Sequence, residues 1–199
     1  MTDHYYSRTP NVESNPVYWR VELRGNTFKF KTDQGVFSKN EVDYGSRLLI
    51  DVFQSPRVKG DLLDVGCGYG PIGLSLAKSS QDCTVSMVDV NERALSLAKE
   101  NAENNNVHNV SIYESDELHS VVGEFAAIVT NPPIRAGKTV VHNILRQSFQ
   151  HLLVGGELWV VIQKKQGAPS AQSKLEEIFG NVDVVVKKKG YHILRAQKH

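Results

Sequence analysis

A chain of 199 residues with 40% apolar and 23% charged side chains has the composition of one soluble globular unit, large enough for its own core and too short for two full enzymatic domains. Its net charge of +1 rests on 23 basic and 22 acidic residues. No apolar run approaches the ~20 residues that span a bilayer, so disorder, fibres and membrane insertion are excluded by composition.

The opening stretch, Met1 to Pro10, is polar and aromatic with no apolar run behind a basic start; it reads as no secretory leader, and a cytoplasmic protein is expected. Val17 to Lys31 alternates around a Gly25-Asn26 turn, the signature of a β-hairpin. After a loop containing Gly35-Val36-Phe37-Ser38, a helix is expected from Asp43 to Phe53, with Leu48, Leu49, Val52 and Phe53 on one face and Pro56 beyond its end.

From residue 61 short apolar runs alternate with helical periods. The runs are Leu62–Val65, Thr84–Val90, Val110–Tyr113, Phe125–Thr130, Glu157–Ile162, Val182–Val186 and Tyr191–Ala196; helices are expected near 71–79, 91–104, 138–153 and 169–179. Strands apolar at nearly every position and separated by helices form a mostly parallel sheet covered on both faces. Only a Gly190 turn separates the last two runs, too little for a crossover, so the last strand must run antiparallel. The expected architecture is α/β, a Rossmann-like seven-stranded sheet, mostly parallel with an antiparallel last strand, behind an N-terminal hairpin.

Cys67 and Cys83 lack CxxC spacing, and His4, His108, His119, His142, His151, His192 and His199 form no ligand pattern, so neither a disulfide nor a metal site is expected. Charge is uneven along the chain: residues 163–199 hold eight basic against three acidic side chains. The Lys187–Lys189 run reads first as a solvated strand end or a protected sheet edge, and is compatible with RNA.

The strongest local signal is Leu62-Leu63-Asp64-Val65-Gly66-Cys67-Gly68-Tyr69-Gly70-Pro71, an apolar strand running into glycines and then a helix, where open α/β sheets bind cofactors. Gly68, Gly70 and Gly73 satisfy GxGxxG with Asp89 about 20 residues on, as a dinucleotide site requires. Against that reading, Pro71 removes an N–H donor at the helix start and Asp64 sets a carboxylate beside any bound anion. A cationic ligand reverses the argument: Asp64 would accept from an ammonium while Gly66, Cys67, Gly68 and Gly70 let the backbone approach it, and S-adenosylmethionine (SAM) carries such a group. Asp89, with Val90 and Asn91 behind it, would take ribose hydroxyls, Asn91 also capping the next helix. Ser115 and Asp116, ending the third strand, would reach the adenine.

At the end of the fourth strand stand Asn131-Pro132-Pro133-Ile134. Together with Asp64–Gly70 and Asp89 these residues resemble the class I SAM-dependent N-methyltransferases, most of all the small-subunit ribosomal RNA guanine-N2 methyltransferases. Gly35–Ser38 followed by Asp43-Tyr44-Gly45 is similar to the segment preceding their catalytic core. The resemblance covers about residues 30–199 and implies one methyltransferase domain over 1–199, with 1–40 as accessory and 41–199 as catalytic core.

The chemistry implied is transfer of a methyl group to an exocyclic amine. The amine lone pair is delocalised into the base; acceptors on both N–H bonds, the Asn131 side-chain oxygen and the Pro132 carbonyl, would favour a pyramidal nucleophile, and the prolines would hold the backbone ready. No metal and no dedicated base is required. The target base must be unpaired or flipped to reach the site. Relatives commonly carry an aromatic after the two prolines; with Ile134 here, base stacking falls to Phe37 or Tyr44. Arg135 and Lys138 are read as phosphate contacts, or as helix-entry solvation. The family's members are about twice this length, so docking must come from a second copy of the chain, from the basic C-terminal third or from another source. Adenine N6 and a protein glutamine amide suit the same corner. A nicotinamide oxidoreductase and a non-catalytic RNA-binding module are the alternatives of other classes.

Overall fold

The structure, a computed structural model, describes residues 6–199; Met1–Tyr5, and with them His4 and half of the stretch read for a leader, lie outside the described residues. Two strands, β1 (Val17–Leu23) and β2 (Asn26–Thr32), form an antiparallel hairpin. Leu23 pairs with Asn26, so the turn is Arg24-Gly25, one residue earlier than the sequence reading placed it. Arg24 takes φ 50 and Gly25 φ 74, the twist a two-residue hairpin turn demands. The guanidinium of Arg24 holds it there by donating to the carbonyls of Ile50 and Phe53 at 2.8 and 3.0 Å.

The helix α1 (Tyr44–Val52) leads into the alternation β3 (Leu62–Val65), α2 (Pro71–Ser79), β4 (Val85–Asp89), α3 (Glu92–Asn104), β5 (Val110–Glu114), β6 (Phe125–Thr130), α4 (Lys138–Gln150), β7 (Leu152–Gln163), α5 (Ala168–Phe179), β8 (Asp183–Lys188) and β9 (Tyr191–Gln197). The seven-stranded sheet has the order β5-β4-β3-β6-β7-β9-β8. All neighbours are parallel except β9, which runs antiparallel to both β7 and β8. This is the expected α/β fold.

The strand period of two divides the core. Leu62, Met87, Val129 and Val161 face α1, α2 and α3, whereas Leu63, Val88, Ile128 and Leu158 face α4 and α5. By the same alternation Asp64, the residue after Leu63, points toward α2. One boundary differs: the helix expected to reach residue 153 ends at Gln150, because His151 folds back onto the carbonyls of Gln147 and Ser148 and Leu152 already pairs with Phe125.

The hairpin is docked by two asparagines one helical turn apart at the end of α3, Asn101 within it and Asn105 as its C-cap. Asn101 exchanges hydrogen bonds with the backbone N–H and C=O of Lys31, and Asn105 does the same with Lys29, at 2.8–2.9 Å. They satisfy the outer edge of β2 as a third strand would. Asn101 also donates to the carbonyl of Tyr69, which ties the hairpin to the glycine loop.

Candidate cofactor cleft and acceptor corner

The carboxyl ends of β3, β4, β5 and β6 open into a cleft enclosing about 870 Å³, solvent at its mouth included. Its floor is the glycine loop. The N–H groups of Gly66 and Cys67 both donate to the Val88 carbonyl, and the Gly68 N–H donates to Asp89 Oδ2 at 2.8 Å. Gly66 and Gly68 have φ of +74 and +57, and a Cβ on Gly68 would meet nothing within 4 Å while one on Gly66 would meet only the Asn131 carbonyl. The loop is thus a bare-backbone cradle, left-handed at two positions and walled by a carboxylate. That geometry accommodates a cofactor with polar hydrogen-bonding groups.

Asp89 lines the cleft half-buried, its oxygens accepting from Gly68 and Asn91; burial raises its pKa and these hydrogen bonds oppose the rise. Val90, Asn91 and Ser115 line it as well. Asn91 caps α3 by accepting from the Ala94 N–H and donates to the Gly35 carbonyl, so one side chain joins the cap to the loop bearing Phe37. Phe37, 44% exposed, borders the same cleft. Tyr69 fixes that loop by donating to the carbonyls of Ser38 and Glu41.

Asp64 lies elsewhere than the sequence reading placed it. Its side chain is fully enclosed on the α2 side; Oδ2 accepts from the Gly73 N–H at 2.8 Å and Oδ1 has no partner. Burial pushes its carboxyl up to about 7, opposed by the Gly73 hydrogen bond and reinforced by the charge of Asp89. The reason is the pleat, which turns this residue away from the loop opening. Gly70, the left-handed cap of α2 ahead of Pro71, also stays outside the cleft lining.

The acceptor corner is built by β6 and the start of α1. Thr130 Oγ1 donates to the Val65 carbonyl at 2.9 Å and locks the ends of β6 and β3 together. Asn131 follows, and its Nδ2 donates to Ser46 Oγ at 3.0 Å and to Asp43 Oδ2 at 3.3 Å. Asp43 itself caps α1 by accepting from the Ser46 N–H. A carboxylate only accepts, so the amide nitrogen must face it, and Asn131 Oδ1 remains as the acceptor pole. Pro132 and Pro133, both buried, complete the wall.

Several expected contacts are not brought into the cleft. Ile134 packs against the core beneath α4 and α5, in a single 3-10 turn. Tyr44 packs on Tyr191, with centroids 5.6 Å apart, so of the two aromatics expected to stack on the base only Phe37 lines the cleft. Arg135 borders a groove with Gln34, Lys39, Asn40 and Glu41 that shares Val36 and Ser38 with the cleft, and Lys138 lines a different one with His142 and Lys174, so the two are not a joint site. Asp116 is exposed and accepts from the Tyr6 hydroxyl at 3.0 Å; Tyr6 lines the cleft in its place.

Tyr6, Asp43, Ser46 and Glu117 are cleft residues that sequence reasoning did not assign. Asp43 carried a signal, since an acid ahead of a helix is a cap, yet nothing local linked it to Asn131. Cys67 and Cys83 are free thiols. Among the described residues there is no cluster of three or more metal-ligating side chains, and no helix is long and apolar enough to cross a membrane.

A parallel sheet of this order, a glycine cradle and acid on its first two strands, and an Asn-Pro-Pro corner on the fourth define the class I SAM-dependent methyltransferases. The chain belongs to the methyltransferase small domain family, which it matches over residues 27–195. It is 60% identical over its whole length to an uncharacterized protein of Bacillus subtilis, YbxB, and spans all of that relative. It is 32% identical over 90% of its length to ribosomal RNA small subunit methyltransferase C of Vibrio cholerae, of which it spans 52%. The Thermus thermophilus 16S rRNA N2 G1207 methyltransferase, solved with SAM and guanosine, superposes with a TM-score of 0.83 at 27% identity, covering 96% of this chain and 52% of that one. The chain therefore spans about half the length of the rRNA methyltransferases it matches.

Proposed function

We propose that this protein transfers a methyl group from SAM to the exocyclic amine of an RNA base, and that the base is guanine, N2-methylated in small-subunit rRNA. The observation that carries the reading is the Asn131 amide, its nitrogen held by Ser46 and Asp43 and its oxygen left to accept from an amine. The likeness to rRNA relatives, one of them solved with guanosine, supports RNA and guanine over adenine N6 or a protein glutamine.

Bound SAM supplies an electrophilic methyl carbon on a sulfonium. The chain's own residues bind and orient. Asp89 is placed to accept from ribose hydroxyls, the Gly66–Gly68 backbone supports the amino-acid portion, and Tyr6 and Ser115 flank the base end. Asp64 acts at one remove, by tying Gly73 at the start of α2 to the end of β3. At the corner, Asn131 Oδ1 and the Pro132 carbonyl accept the two amine hydrogens, favouring a pyramidal nitrogen with its lone pair turned to the donor. Once the nitrogen has become cationic its proton leaves to solvent. Phe37 offers an apolar face to an unstacked base.

The proposed setting is the cytoplasm. A second copy of the chain, or its own basic third, would supply docking for the RNA. The test is tritiated methyl transfer from SAM to total RNA of undermethylated cells, followed by nuclease digestion of the labelled RNA. Label in N2-methylguanosine of small-subunit rRNA is expected; label in N6-methyladenosine or in protein would overturn the base assignment, and no label in RNA would overturn the reading.

A further inference from the structure

The Asn131 corner stands at the carboxyl end of β6, the middle strand, with the cofactor cleft over β3, β4 and β5 on one side. On the other side lie β7, β9 and β8. Because β9 opposes both neighbours, β8 ends at the same edge of the sheet as β7. Gln163, Tyr191 and Lys188 form one row across the three strands.

Five exposed lysines meet at that edge. Lys164 and Lys165 sit in the 3-10 turn after β7, Lys187 and Lys188 close β8, and Lys189 occupies the turn into β9. The Lys164 N–H donates to the Gly190 carbonyl at 2.8 Å, so the two loops are fastened side by side. Among the described residues none of these five lysines has a carboxylate partner. The field is felt locally: burial first, then the charges of Lys187 and Lys164, hold His192 below its ordinary pKa.

Protection of an open sheet edge accounts for lysines on β8, the edge strand, and not for Lys164 and Lys165, which follow an interior strand. Like charges gathered at one place with no acidic partner form a local positive field that attracts anions. The ridge is also joined to the acceptor corner. Lys189 Nζ stands 4.7 Å over the Tyr44 ring, and Tyr44 directly follows Asp43, whose carboxylate faces the Asn131 amide.

We infer that this ridge of Lys164, Lys165, Lys187, Lys188 and Lys189 is the docking surface for the phosphate backbone of the RNA strand beside the target nucleotide. The inference rests on the RNA methyl-transfer reading above and assigns the phosphate role to the β7 and β8 ends rather than to Arg135 and Lys138. A run of phosphates seated there leads one nucleotide past Tyr44 into the corner.

The test compares two triple variants of the full chain with equal loss of charge: Lys187→Gln/Lys188→Gln/Lys189→Asn on the ridge, with asparagine at the position of positive φ, and Lys29→Gln/Lys59→Gln/Lys99→Gln on other exposed surfaces. The probe is small-subunit rRNA transcribed in vitro, bound to filters across a salt series. The ridge variant is expected to bind at least tenfold more weakly at low salt and to flatten the log–log salt slope by about 2, as loss of three single-strand phosphate contacts requires. The control should match the parent protein. Adenosylhomocysteine binding, measured in parallel, should stay unchanged in both and shows that the fold is intact. An unaltered slope in the ridge variant, or equal losses in both triples, overturns the inference. So does a parent protein that does not bind the transcript. A parent that binds through the ridge yet methylates no RNA would instead overturn the functional reading and leave the docking surface standing.

Discussion

The amide nitrogen of Asn131 lies 3.0 Å from the hydroxyl oxygen of Ser46, a residue 85 positions earlier in the chain. Ser46 sits in the first turn of α1 and is buried, and Asp43, the cap of that helix, faces the same nitrogen. The start of α1 therefore decides which end of the Asn131 amide can meet a substrate.

Removing that amide should affect turnover more than binding. Asn131→Ala is expected to lower kcat by about 10²–10³, the usual effect of losing one preorganised polar contact to the reacting group, with SAM affinity nearly unchanged. Single-turnover methylation alongside calorimetric titration separates the two; an equal fall in cofactor affinity would contradict an amine-orienting role.

Ser46 is a positioning residue, and its effect must pass through Asn131. Ser46→Ala is expected to lower kcat by about tenfold in the parent protein and to cost nothing further in the Asn131→Ala background. A double-mutant cycle measures this directly. Independent, multiplicative losses would mean that Ser46 merely supports the helix.

Asp89 should govern cofactor affinity. Asp89→Ala deletes the acceptor proposed for the ribose and also the anchor of the Gly68 and Asn91 N–H groups, so adenosylhomocysteine should bind roughly 10–100-fold more weakly, in line with about 1.5–3 kcal/mol for a hydrogen bond to a charged group. Calorimetry that returned parental affinity would remove Asp89 from the binding site.

Asp64 makes stability depend on pH in a defined direction. Its carboxyl, at 3.8 in the unfolded chain, is pushed up to about 7 by burial, so between these values the folded state keeps a proton that the unfolded state has lost. The stabilising contribution of the neutral carboxyl is complete below about pH 4 and is lost as pH rises through about 7, on the order of 4 kcal/mol in all. Asp64→Asn, permanently neutral and still able to accept from Gly73, should gain stability relative to the parent as pH rises from 4.5 to 8. Denaturant melts without cofactor at both pH values test this, and a constant difference between the two proteins would refute it.

Much of the fold was legible before any coordinates because its signals are local. The apolar runs set the strands, Asp43 and Asn91 marked helix starts, and the single Gly190 between the last two runs forced an antiparallel pair. The glycine loop, Asp89 and Asn131-Pro132-Pro133 were read from equally local signals, since each follows directly from a strand end, and the structure brings them to one cleft. The misplacements share one cause. Asp64 was expected to face the ligand because it stands next to the loop in sequence, but strand alternation points it at α2. Ile134, Asp116 and Lys138 were adjacent to site residues by number and lie outside the cleft lining, whereas Arg135 borders a groove that shares Val36 and Ser38 with the cleft.

The order and type of the elements, the strand ends where backbone is bare and the Asn131 amide at one of them were all readable from the chain alone, because periodicity, turn residues and side-chain type act over a few positions. That Ser46 and Asp43 hold the nitrogen of that amide, that Tyr6 lines the cleft, and that the lysines of two separate loops share one edge emerged with the folded arrangement. These are contacts between segments tens of residues apart. They exist only once the burial of both faces of the sheet has fixed how its strand ends lie side by side.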